Sequence, residues 1–235
     1  MKKLWEKDEV WFAVFWIVVY VLGFSLADGL SERMGVPKLL TCLFGLGLSL
    51  VLLRWVKKQG LWDDYGLCAF RGKAREFLYF IPLILISSVN LWCGVTMRLS
   101  LPLTLLYILS MCFVGFLEEL IFRGFLFRGM CRSGVKMAIL VSSLTFGIGH
   151  IVNLLNGAPV YETLLQLVYA SAIGFCYTIL FYKGGSLVPC ILSHAVVNSL
   201  SVFAVEPGQA AQLLIALMQT VLGVGYGLWL LRKRT

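Results

Sequence analysis

The chain has 235 residues, 60% of them hydrophobic and only 14% charged, with 20 bases against 12 acids. So few ionisable groups cannot clothe a soluble globule of this length, so soluble, disordered and fibrous readings give way to a polytopic membrane protein. The net charge of +8 sits in short clusters between apolar runs, which is the pattern of membrane loops and not of a nucleic-acid footprint.

The first segment, MKKLWEKDEVWF, mixes three acids with its lysines, and no small-residue cleavage site follows it. The apolar run behind it therefore reads as a retained span and not as a signal peptide. A hydrocarbon core of about 30 Å takes about 20 apolar helical residues. Runs that qualify lie at 10–27, 39–55, 77–93, 101–127, 137–155, 160–182, 187–205 and 210–231. The fourth is long and ends in charge, so its last turns are expected to tilt or to leave the membrane. Nothing repeats with a period of 20–50 residues, and the longest polar stretch, Arg54–Glu76, is too short for a second domain. The expectation is an all-α, polytopic transmembrane helical bundle of about eight spans, forming one domain over residues 1–235.

With eight spans, 17 of the 20 bases fall on the N-terminal side of the membrane. They are Lys2, Lys3, Lys7, Arg54, Lys57, Lys58, Arg71, Lys73, Arg75, Arg123, Arg128, Arg132, Lys136, Lys183, Arg232, Lys233 and Arg234. Only Arg33, Lys38 and Arg98 fall on the other. The positive-inside rule then puts both termini in the cytoplasm. The seven cysteines are scattered, mostly in apolar runs and without a C-x-x-C pair, so they read as small hydrophobes and not as disulfides or thiolate ligands.

Ionisable groups inside spans are costly and mark function. Here they are Glu118 and Glu119 in LEELIFRGFLF, His150 in FGIGHIVN, and His194 with Asn198 in LSHAVVNSL; the two histidines are the only ones in the chain. Counted from the N-terminal side at 1.5 Å per residue, Glu118 lies roughly 15 Å deep, His150 about 19 Å, His194 about 11 Å and Asn198 about 17 Å. Three spans thus carry polar groups at similar depth, as a buried site requires. Glu119 and Arg123 are four apart and share a helix face, so they are expected to pair, while Glu118 points about 100° away. Phe146 shares a face with His150, and His194 with Asn198. The carboxylate, two imidazoles and amide are expected to meet in one cavity open to the cytoplasm. Asn90, Asn153 and Gln166 read as packing groups between spans, and glycines at 115 and 124 as places where neighbouring backbone comes close.

In order, Glu118-Glu119-x-x-x-Arg123, Phe146-x-x-x-His150 and His194-x-x-x-Asn198 resemble the CAAX protease and bacteriocin-processing family of intramembrane peptidases, also called the Abi family. The resemblance covers Glu118 to Asn198, about 80 residues; the first hundred match only as generic spans. It implies a glutamate-dependent endopeptidase with Glu118 as general base and His150 holding the water. His194 and Asn198 would be oxyanion donors, Glu119 and Arg123 a structural pair, and Phe146 a wall of the pocket. The residues flanking His150 in this family lead one to expect something larger than Gly147 and Gly149, so that helix is expected to pack loosely. The H-E-x-x-H zinc helix, the G-x-S-G nucleophile loop and paired membrane aspartates of other intramembrane proteases are absent from the sequence.

No cofactor is favoured. Glu118, His150 and His194 form the alternative, a zinc set with water in the fourth place. Against it stand Arg123, which neutralises the one remaining base candidate, Glu119, and the lack of a carboxylate expected near each imidazole. The partners expected are a peptide or protein substrate at the membrane and the lipid bilayer, with no nucleic acid. Compactness and short loops point to a bacterial cytoplasmic membrane, where processing of a secreted peptide is expected ahead of CAAX trimming. Rival classes are a non-proteolytic scaffold or immunity partner, which has no need of both histidines, and a proton-coupled transporter, whose internal repeats are not found.

Overall fold

A computed structural model of the chain describes residues 1–233; Arg234, one of the bases counted above, lies outside the described residues. The chain is an all-α bundle. Among the described residues, seven helices are long and apolar enough to cross a membrane: α1 Glu9–Arg33, α2 Leu39–Gln59, α3 Ala74–Leu91, α4 Leu101–Cys131, α5 Val135–Leu155, α6 Val160–Gly184 and α8 Gln209–Arg232. Between the last two lies a shorter apolar helix, α7 Val188–Phe203. A six-residue helix, Lys2–Lys7, precedes α1.

Contacts at the two ends of the bundle show that all eight helices run from one end to the other. At the first end, Glu9 pairs with Arg132 at 2.9 Å and Arg128 Nε donates to Asp64 O at 2.8 Å. There too Leu187 N donates to Gly66 O at 2.7 Å, and Lys233 Nζ to Glu76 O at 2.8 Å. At the opposite end, Lys38 pairs with Asp28 at 2.7 Å, Arg98 with Glu206 at 2.9 Å, Thr96 N donates to Phe203 O at 2.9 Å, and Tyr161 Oη to Gln209 O at 3.2 Å. The first end is the base-rich one. Arg123, counted among its loop bases, is instead fully buried within α4.

The packing is that of a protein solvated by lipid. Large apolar side chains such as Leu26, Leu50, Ile84, Leu105 and Val221 face outward, while hydroxyls, Glu119, Arg123, His194 and Gln219 are buried. Backbone polar groups in hydrocarbon must be satisfied inside each helix. Hydroxyls follow the same rule: buried Ser31, Ser143 and Thr178 and half-buried Ser171 each donate to the carbonyl four residues back.

Besides the break in α5 at His150–Ile151 and the 3₁₀ turn that closes α7, α3 and α4 depart from regular geometry. In α3, Leu78, Tyr79 and Phe80 have φ of 51°, 50° and 59°, a left-handed run costly for residues with a Cβ. A regular α-helix begins only at Ile81, with Pro82 in its first turn, the place a proline tolerates best. In α4, Leu120–Phe127 winds as a π-helix, and all eight residues are buried. Such wide turns free backbone carbonyls and recur at functional sites. Here Ser142 Oγ on α5 donates to Phe122 O at 2.8 Å.

Candidate active site

The site is assembled where α1, α4, α5, α6 and α7 meet, around the point at which α4 changes to π-helical winding. Glu119 is the last residue before that change. Its Oε1 accepts from Arg123 Nη1 at 3.0 Å and lies 2.8 Å from His194 Nδ1. A carboxylate oxygen only accepts, so Nδ1 carries the hydrogen. Glu119 and Arg123 are both fully buried. The Arg123 guanidinium stacks over Phe146 at 4.1 Å and lies 5.7 Å from Tyr177, so aromatic faces stand where Nε and Nη2 lack hydrogen-bond partners. Gly174 makes the space: a Cβ there would lie 3.0 Å from the Phe146 ring and 3.2 Å from Arg123 Nη2.

Glu118 faces the other way, into a cavity. Its Oε2 is 3.4 Å from His194 Nε2, and its Oε1 accepts from Tyr20 Oη at 2.6 Å. His194 therefore bridges the two glutamates. The expectation that no carboxylate orients an imidazole is corrected here, because Glu119 does so for His194, and a helix-face count cannot see a partner on another span. Close approach of α4 and α7 holds this geometry. A Cβ on Gly115 would lie 2.7 Å from Ala195 N, so only glycine lets the backbone beside His194 come so near. Gly124, in contrast, faces side chains of Leu120, Tyr65 and Leu187.

His150 caps the first part of α5, and its Nδ1 lies 3.0 Å from Phe146 O. A carbonyl only accepts, so Nδ1 holds the hydrogen and the neutral ring offers the Nε2 lone pair. The helix around it is not loosely packed: a Cβ on Gly147 would lie 2.8 Å from Leu167 O, so α5 and α6 touch through backbone. Asn153 Nδ2 donates to Gln166 Oε1 at 2.8 Å and Asn90 Nδ2 to Val197 O at 2.6 Å, both interhelical ties as expected.

The polar set lines two cavities, not one. The first, about 190 Å³, is bounded by Tyr20, Glu118, Phe146 and His150 and continues past Ser25 and Asn153 to Asp28, Lys38 and Asn156. The second, about 250 Å³, is bounded by Phe146, His150, His194 and Asn198, with Asn90, Tyr169 and Gln219 beyond. Phe146 and His150 form the wall common to both. The expected opening toward the base-rich side is also corrected. The first cavity reaches the Asp28–Lys38 pair at the other end, because aromatic packing fills the bundle between Glu118 and Glu9.

The alternative zinc set is not gathered into one group: among the described residues no three His, Cys, Asp or Glu side chains are arranged to hold a metal ion. The candidate site residue that the sequence alone leaves out is Tyr20. It stands in an otherwise apolar span, 98 positions from Glu118, with no local spacing to mark it.

Residues 100–200 match the family model of Rce1-like proteins, described as type II CAAX prenyl endopeptidase Rce1-like. The resemblance read from the three motifs stands, since all seven motif residues fall within that stretch; Tyr20 falls outside it. Comparison with curated proteins and with solved structures returns no match.

Proposed function

Starting from an Rce1-like segment set in a membrane bundle, we propose that the chain is an intramembrane endopeptidase acting on a membrane-associated or secreted precursor. The observation that carries this reading is the unbroken chain of contacts Tyr20–Glu118–His194–Glu119–Arg123, with Glu118 exposed to a polar cavity shared with His150. A scaffold or immunity partner has no use for such a chain.

In this reading, Glu118 and the His150 Nε2 lone pair hold the attacking water between them. Glu118 takes its proton as the oxygen adds to the peptide carbonyl. That proton passes to His194 Nε2, whose ring is already fixed through Nδ1 by Glu119. His194 and Asn198 line the second cavity, across the Phe146–His150 wall from Glu118, so in this reading the peptide carbonyl enters from that cavity. While it holds the proton, Nε2–H stands with the Asn198 amide as a donor to the oxyanion, an interaction of the kind whose loss costs about 10²–10³ in rate. Collapse of the intermediate delivers the proton to the leaving nitrogen. Arg123 holds Glu119, and Tyr20 fixes the Glu118 rotamer; both are positioning residues.

The base-rich end is assigned to the cytoplasm on the positive-inside rule, with both termini there. The reading is tested by comparing membrane and secreted peptides from cells carrying the native chain and Glu118→Gln. The amide keeps an acceptor for Tyr20 but cannot take a proton. A precursor that accumulates uncut only with the variant supports the reading and names the substrate. Identical peptide sets, with the variant present in membranes at native level, would sink it.

A further inference from the structure

We propose that the site draws its water and its substrate from the base-poor end of the bundle, which is the outer face of the membrane. The bond cut then belongs to an exported peptide or to an extracytoplasmic stretch of a membrane protein, not to a cytoplasmic chain. The word "substrate" rests on the endopeptidase reading; the side of access does not.

Three observations converge on this. The Glu118 cavity has apolar walls that include Val21, Phe24, Met111 and Val114, with polar groups set along them, Ser25, Asn153 and then Asp28, Lys38 and Asn156; of these Asn156 is exposed and the Asp28–Lys38 pair half-exposed. Polar groups spaced along a cavity of about 190 Å³ give water the hydrogen-bond partners it needs there. The second cavity leads the same way. It shares Val89, Asn90, Tyr169 and Gln219 with a further cavity of about 330 Å³ lined by Glu162, Glu206 and Gln212, beside the Arg98–Glu206 pair of the base-poor end.

The third observation is the seal at the other end. Phe12, Trp16, Trp55, Tyr65 and Phe125 are all buried, with ring centroids 4.6 Å apart for Phe12–Trp55, 5.1 Å for Phe12–Phe125 and 5.0 Å for Tyr65–Phe125. The cavity at the base-rich surface, bounded by Trp5, Glu9, Asp64, Arg128 and Arg132, shares no lining residue with either site cavity. A peptide arriving from that side would have to strip its amides of water and cross this layer without hydrogen-bond partners.

The test is side-specific thiol labelling, which needs no activity. Single cysteines are added to the native chain as Ser25→Cys and Asn156→Cys at the cavity mouth, Met111→Cys on its wall and Lys57→Cys at the base-rich end. Each labelled position is read by mass spectrometry to separate it from the seven native thiols. With a small membrane-impermeant maleimide, positions 25, 111 and 156 are expected to react in intact spheroplasts at least tenfold faster than in inverted vesicles, and position 57 the reverse. Reaction of 25, 111 and 156 from the same side as 57, or of 111 from neither side, overturns the proposal. Labelling as expected, combined with no uncut precursor in Glu118→Gln cells, would retain the access route and discard the peptidase.

Discussion

Tyr20 shows what a single side chain from outside the motif region contributes. Its hydroxyl is committed to Glu118 Oε1, which leaves Oε2 to face His194. Hydrogen bonds to charged groups contribute about 1.5–3 kcal/mol. Tyr20→Phe is therefore expected to lower kcat by about ten- to a hundredfold with a smaller change in KM, as measured by cleavage kinetics on the substrate found with Glu118→Gln. An equal loss in KM alone would make Tyr20 a substrate contact. Arg123→Ala should act differently, because it leaves Glu119 buried without its cation at a cost of about 3–5 kcal/mol. Lower membrane yield and a lower melting temperature are expected together with lost activity, and thermal unfolding in detergent checks it. Glu118, Glu119, Arg123, Phe146, His150, His194 and Asn198 were legible in the sequence because each motif closes over one helical turn, a spacing the chain itself sets. Contacts between spans leave no such mark. Neither Tyr20–Glu118 nor Glu119–His194, 75 positions apart, was there to be read.

At the scale of elements, the site depends on how closely α4 and α7 approach. Gly115→Ala would place a methyl 2.7 Å from Ala195 N and force backbone apart, an overpacking cost of about 1–3 kcal/mol. It should also draw His194 away from both glutamates and so abolish cleavage. Gly225→Ala on α8, where nothing lies within 4 Å, is the control and should leave yield and cleavage near native, as expression and peptide assays will report. The spans themselves were legible, since lipid demands apolar length. Their ends were not: α1 continues through Asp28 to Arg33, beyond the run ending at 27, because helical hydrogen bonds continue where hydropathy stops. The π-helical stretch of α4 was invisible for another reason, as widening a turn leaves composition unchanged. The break in α3 had one signal, Pro82, which marks a helix start just after the residues expected to lie within the span.

For the whole molecule, the eight traverses were written in the alternation of basic loops, while the end at which the cavities open was not, because that is decided by where aromatic side chains from α1, α2, α4 and the 60–73 loop pack together. Since the proposed chemistry runs through Glu118, His150 and His194 without a metal, cleavage by purified protein should survive strong chelators. Elemental analysis finding one zinc per chain, with activity lost on its removal and restored on its return, would change Glu118 from base to ligand. The short α7 has a consequence of its own. Its 13-residue α-helix and closing 3₁₀ turn reach only about 25 Å, against a hydrocarbon core of about 30 Å. Leu192 and Val196 on that helix face outward, so the deficit falls on the surrounding lipid, which must thin beside the helix that carries His194 and Asn198. Acyl-chain length thereby becomes a variable of catalysis. In vesicles of graded phosphatidylcholine chain length, cleavage should be fastest in the thinner bilayers and fall as the mismatch grows, whereas rates independent of thickness would show that the neighbouring longer helices shield α7 from lipid.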